Sequence, residues 1–163
     1  MTQLELAADV LNRSHEMLKG TLGDFSDADF YARPCPGANH PAWQIGHLIS
    51  AETHMVAAFN PNATAKLPDG FDKKFTKETA GKDDPAFFGS KAQLMDQLAK
   101  TRAASIAWVK TLKPADLDKP GPEKMRDFIP TLGHTVALIP AHSAMHVGQF
   151  QVLRRKLGKP LLF

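Results

Sequence analysis

Apolar residues recur at helical spacing in four long segments of the chain. In the first, Leu4, Leu6, Ala7, Val10, Leu11, Met17 and Leu18 repeat with that period, and Glu5, Asp9, Asn12, Arg13 and Lys19 largely fill the other faces. This predicts an amphipathic helix ending near Gly20 and Gly23. The second segment, residues 42–59, has a stripe of Leu48, Ala51, Met55 and Phe59, thickened by Ile45, Ile49 and Val56. Asn39 or His40 caps it, Pro41 suits its first turn, and Asn60-Pro61 ends it. The third starts after Ser90, a good cap, and carries Leu94, Leu98, Thr101, Ser105 and Trp108 before Lys113-Pro114 stops it. The last runs from about Thr131 through Val136, Leu138, Phe150 and Leu153 to Gly158. Basic residues in its final turn suit the helix dipole. No repeat and no period-two strand interrupts the series, so the expectation is an all-α four-helix bundle.

The connections differ in kind. Residues 21–40 read as a loop, with turn chemistry throughout Pro34-Cys35-Pro36-Gly37-Ala38-Asn39. Residues 60–88 form a long connection with room for a short helical turn, and loops of that length are often functional lids. Phe71, Phe75, Phe87 and Phe88 can fold it back over the core. Pro120-Gly121-Pro122 marks another irregular stretch, with a short turn expected over residues 123–128. Pro140, inside the last helix, is expected to kink it just before His142.

Composition narrows the class. The 163 residues are enough for one domain, residues 1–163, with a core that needs no disulfide. A hydrophobic content of 43% with 23% charged residues fits a soluble globular protein. The formal charge of +3 is mild, and basic and acidic residues alternate, so neither nucleic acid nor a membrane surface is expected as partner. One cysteine, Cys35, fits a reducing compartment and reads as an incidental loop residue. With no signal-like N-terminus and no long apolar run, a cytoplasmic location is expected.

The candidate chemistry lies with histidine. His142 and His146 stand four residues apart on one helical face, within reach of a single ion. A stable mononuclear site wants a third ligand, and His47 on the apolar second helix can supply it. Three imidazoles from two helices leave a coordination position open, which is the catalytic pattern. The ligand type suits zinc, nickel, copper or ferrous iron. Ser143 stands where HExxH has its glutamate, so that general base is absent.

The stretch Asn39-His40-Pro41-Ala42-Trp43-Gln44-Ile45-Gly46-His47-Leu48, with His142 and His146, Gly148-Gln149, Leu153-Arg154-Arg155 and Leu157-Gly158-Lys159-Pro160, resembles the DinB-like (DinB/YfiT-like) superfamily. The resemblance covers the whole chain, and the ending from His142 to Pro160 is its specific part. It implies an up-up-down-down-type bundle, a mononuclear metal on His47, His142 and His146, and often a homodimer. It also implies metal-dependent transfer of a low-molecular-weight thiol in some members and thiol-dependent isomerisation in others. In the maleylpyruvate-isomerase branch one ligand is a glutamate, where this chain has His142, so that reaction is not carried over.

The leading expectation is therefore a metal-dependent enzyme on a small-molecule substrate, activating a low-molecular-weight thiol toward an electrophile. Zinc or nickel is the expected ion, with iron as a further option. Metal-dependent hydrolysis and a non-catalytic, stress-associated metal-binding module are the alternatives. His54, two turns beyond His47 and about 10 Å along the axis, is the candidate acid–base group or pocket wall. His134 stands in the same relation to His142, while His15 reads as a core-edge residue. Gln149 reads as a support for a ligand or a packing contact. Glu52, off the His47 stripe, reads as solvent-facing, and Arg154 and Arg155 read as surface charges.

Overall fold

The computed structural model, described over residues 1–162, turns the four periodic segments into four long helices. They are α1 (Gln3–Leu22), α2 (Pro41–Ala57), α3 (Lys91–Val109) and α4 (Leu132–Lys156). Among the described residues no strand forms, apart from a single antiparallel bridge between Pro120 and Thr131. Among the described residues no helix is long and apolar enough to cross a membrane.

Local chemistry sets the helix ends. Thr2 and Glu5 form a reciprocal capping box at α1, and Ser90 and Gln93 do the same at α3. His40 caps α2, its Nδ1 accepting the Trp43 N–H at 3.1 Å, with Pro41 in the first turn. Thr131 stands at the cap position of α4, but its side chain pairs with His134 Nδ1 at 2.9 Å rather than with the helix. Gly158, at φ +68°, leaves α4 in the left-handed conformation that glycine adopts freely. The helix continues through Pro140 without a break.

The bundle has two apolar centres. One joins Leu18 and Leu22 of α1, Ile45 of α2, Leu94 and Leu98 of α3, and Phe150 and Leu153 of α4. The other joins Ala8 and Leu11, Met55 and Val56, Trp108 and Val109, and Val136 and Ile139. Late residues of α1 and α4 thus lie beside early residues of α2 and α3, and the reverse holds at the other end. The chain order is up-down-down-up, rather than the up-up-down-down order that the resemblance implies. Each of α1 and α2 packs against both α3 and α4.

This order explains the long connection. Consecutive parallel helices cannot be joined by a tight turn, so residues 58–90 must travel back along the bundle. They do so through short helical turns at Pro61–Ala63, Phe71–Lys74, Lys77–Thr79 and Pro85–Phe88. Phe71, Phe75 and Phe88 are buried against the core, and Phe87 packs partly buried beside them. A Cβ on Gly46 would overlap the Phe75 ring, so the glycine is what lets this segment lie directly on α2.

Two arginines overturn the reading of the surface. Arg102 of α3 is 2% exposed and pairs with Glu52 through Nε and Nη2. It also donates to the Leu11 carbonyl, the Ser14 hydroxyl and the Ser143 hydroxyl. Glu52 is therefore buried rather than solvent-facing, because α2 has packed neighbours on more than its apolar stripe. Arg154 is fully buried too, bonded to the Thr21 carbonyl and to both oxygens of Asp24. It anchors the end of α4 to the end of α1, while Arg155 stays exposed as expected.

Candidate metal centre

Where α2 faces α4, His47, His142 and His146 each bring a ring nitrogen within 4.8 Å of the others. Helical spacing sets His142 and His146 one turn apart, with their Nε2 atoms 3.2 Å apart. The His47 ring meets His142 edge-on at 5.0 Å between centroids and His146 at 5.8 Å. Three separate imidazoles, from two helices, have converged.

Electrostatics keeps them ready for a cation. Burial lowers the His47 value below the usual 6.5. Burial, with repulsion from His47, pushes His142 down to about 4. Burial and then repulsion from His142 and His47 bring His146 to about 3. Neutral imidazole is the form that donates a lone pair to a metal, so the set fits a divalent transition ion. No carboxylate belongs to the cluster.

Neighbouring residues hold two of the rings in place. His146 Nδ1 donates to Gln44 Oε1 at 2.6 Å, which leaves Nε2 as the lone-pair nitrogen facing the cluster. The Gln44 amide in turn donates to the Asn39 carbonyl at 2.6 Å, so the glutamine is itself oriented. Trp43 stacks on His47 at 5.1 Å and only 7° from parallel. Its indole N–H reaches the Thr76 carbonyl and the Thr79 hydroxyl, both at 3.2 Å, tying the crossover segment to the site.

Beside the cluster opens a cavity of about 430 Å³, lined by His47, His142, His54, Met55, Phe128 and Met145 among others. His54 stands largely exposed at this cavity, and its Nε2–H donates to Asp72 Oδ2 at 3.2 Å. Other sequence candidates lie elsewhere. Gln149 is exposed, and the supporting role falls to Gln44 instead. His134 is exposed and bonded to Thr131, His15 lies half-buried on α1, and Cys35 is an exposed free thiol. Ser143 is buried and serves Arg102.

The residues that sequence reasoning missed divide by distance along the chain. Gln44 and Trp43 precede His47 by three and four positions, the spacings that bring side chains together on a helix, so a local signal existed. Asp72 reaches His54 from an irregular segment 18 residues on, where no periodicity points to it.

A family model described as the DinB superfamily matches residues 11–150. A conserved protein from Enterococcus faecalis has a crystal structure similar at TM-score 0.76, with 22% identity over 98% of this chain and 99% of that one. YfiT from Bacillus subtilis, described as a probable metal-dependent hydrolase with an unusual four-helix bundle topology, is similar at TM-score 0.68. It is 16% identical, over 98% of this chain and 91% of its own. No curated protein matches.

Proposed function

This chain belongs to the DinB superfamily, and from that premise we propose that it is a metal-dependent hydrolase working on a small molecule at the three-histidine cluster. The observation that carries the proposal is that His47 and His142 of the cluster line one cavity together with His54, which is itself bonded to Asp72. The description of YfiT as a probable metal-dependent hydrolase supports the same reaction class. His47, His142 and His146 would hold the ion, and zinc and nickel are among the ions that neutral nitrogen donors suit. Bound there, a divalent ion would supply Lewis acidity, toward water and toward a scissile carbonyl or phosphoryl oxygen.

The remaining work falls to the side chains. Gln44 fixes the tautomer and the direction of His146, and Trp43 fixes the plane of His47. His54, with Asp72 holding its Nε2–H, keeps Nδ1 free to accept a proton released in the cavity and pass it to solvent. The apolar walls exclude bulk water around the substrate and strengthen the electrostatics inside.

Thiol transfer is the second reading. Three neutral ligands leave the full charge of a divalent ion in place, and such a charge favours a bound thiolate as well as hydroxide. Metal analysis followed by two assays separates the readings. Hydrolysis of nitrophenyl esters without thiol, lost on chelation and in His47→Ala, supports the first. Conjugation of 1-chloro-2,4-dinitrobenzene only with added cysteine, glutathione or coenzyme A supports the second. A wild-type protein that takes up no stoichiometric divalent metal rejects both.

A further inference from the structure

We propose that the substrate presents an uncharged, apolar alkyl or aryl group to the cavity beside the histidines, with Ala51 and Phe128 limiting its size. The inference rests on the reading of that cluster as a metal-dependent active site. The cavity, about 430 Å³, takes Ala51 and Met55 from α2, Leu138 and Met145 from α4, and Met125, Phe128 and Ile129 from the connection before α4. Its ionisable lining residues are all histidines: His47, His54 and His142. No lysine, arginine, aspartate or glutamate lines it. Away from the histidine cluster, a carboxylate or phosphate drawn against these walls would lose its hydration without gaining a charged partner. An alkyl or aryl group would instead gain roughly fourfold in affinity for each methylene taken out of water.

Size and rigidity agree with this assignment. An apolar cavity of about 150 Å³ is enough for benzene, so this one has room for a ring with a short chain. The third wall is pinned in place. The Gly121 N–H donates to the Pro130 carbonyl, and the Leu132 N–H to the Lys119 carbonyl, both at 2.9 Å. A Cβ on Gly121 would overlap the Ile129 carbonyl, so glycine allows the two ends of this connection to approach. Three of the wall residues are methionines, whose flexible thioethers adapt to groups of different shape. Phe128, 71% exposed, and Met145, 61% exposed, leave apolar surface that such a group would cover.

The test has two arms on full-length protein. In the first, binding of neutral 2-naphthylmethanol is measured by calorimetry to wild type, Ala51→Phe and Phe128→Glu. Wild type is expected to bind, and each variant to bind at least tenfold more weakly. Because Phe128 is exposed, its variant keeps the test valid if Ala51→Phe does not fold. In the second, cobalt-loaded protein is titrated with acetohydroxamate, hexanohydroxamate and succinohydroxamate, followed by the cobalt spectrum. Hexanohydroxamate is expected to bind at least tenfold tighter than acetohydroxamate, and the carboxylate-bearing succinohydroxamate no tighter. Equal affinities of the three, or naphthylmethanol binding that neither variant weakens, overturns the proposal. If no hydroxamate perturbs the cobalt spectrum, the metal-site reading fails and the first arm alone decides the apolar cavity. Absence of naphthylmethanol binding to wild type then rejects it.

Discussion

His146 Nδ1 and Gln44 Oε1 lie 2.6 Å apart, joining two helices through residues 102 positions apart in the chain. That bond presents Nε2 of His146 to its neighbours and makes Gln44 part of the site. Gln44→Ala should leave the bundle folded but weaken divalent metal binding by roughly 10- to 100-fold, the usual effect of removing a ligand's supporting partner. Competition with a chromogenic chelator measures it, and an unchanged affinity removes Gln44 from the site.

Metal should stabilise the fold, because the cluster exists only when α2 meets α4. At a free metal concentration one hundred times Kd the gain is about 2.7 kcal/mol, read as a higher Tm that chelator reverses. His47→Ala, His142→Ala and His146→Ala should each abolish most of this increment. Thermal melts with and without zinc or nickel would show it, and an increment retained in all three variants would contradict the cluster as the binding site.

The Arg102–Glu52 pair sits between all four helices, through contacts to Leu11, Ser14 and Ser143. Removing one partner leaves the other charge buried alone. Glu52→Gln or Arg102→Met should therefore cost about 3–5 kcal/mol. The double replacement Glu52→Leu with Arg102→Met should recover part of that loss, since desolvation of both charges is avoided. Urea unfolding of the three variants tests the coupling, and strict additivity would argue against it.

Gly46→Ala puts two effects in opposition. Alanine favours the helix by about 1 kcal/mol, while overpacking a buried contact costs about 1–3 kcal/mol. The new Cβ would overlap the Phe75 ring itself, so the ring must leave its seat rather than shift. We expect a net loss of about 1–2 kcal/mol and faster proteolysis within residues 60–88. A stabilised, equally resistant variant would show that Phe75 is not needed to seat this segment.

His40 predicts a pH dependence. It is fully buried, its Nδ1 accepts from Trp43 N, and its Nε2–H donates to the Lys82 carbonyl at 2.9 Å. Burial is the main cause of its lowered pKa. The folded protein thus binds fewer protons there than the unfolded chain. This contribution is complete above about pH 6.5, the unfolded value, and is lost as pH falls through the lowered folded value. His40→Asn, which keeps a capping side chain, should show a flatter fall in stability on acidification of the metal-free protein. Parallel pH curves for the two proteins would exclude His40 as a source.

How much of this could be read from the chain alone depends on the range of the interactions involved. Helix positions, the caps at His40 and Ser90, the exit at Gly158 and the i, i+4 pairing of His142 with His146 follow from neighbours within a turn or two. The candidacy of His47 was legible too, since a histidine in a strongly apolar segment is either a hydrogen-bonded core residue or a ligand, and the His142–His146 pair lacked a third donor. Tertiary structure decided the rest. The up-down-down-up order requires a crossover, and that crossover brings Asp72 to His54 and Phe75 to Gly46 across distances no periodicity spans. It also decided the fate of charge. Glu52 and Arg154 look solvent-facing to a rule that assumes one buried stripe per helix. They are buried because helices packed on several sides meet partner charges, Arg102 and Asp24, that come from remote segments. The three histidines were each visible in the sequence. Their convergence to within 4.8 Å came from the packing of α2 on α4.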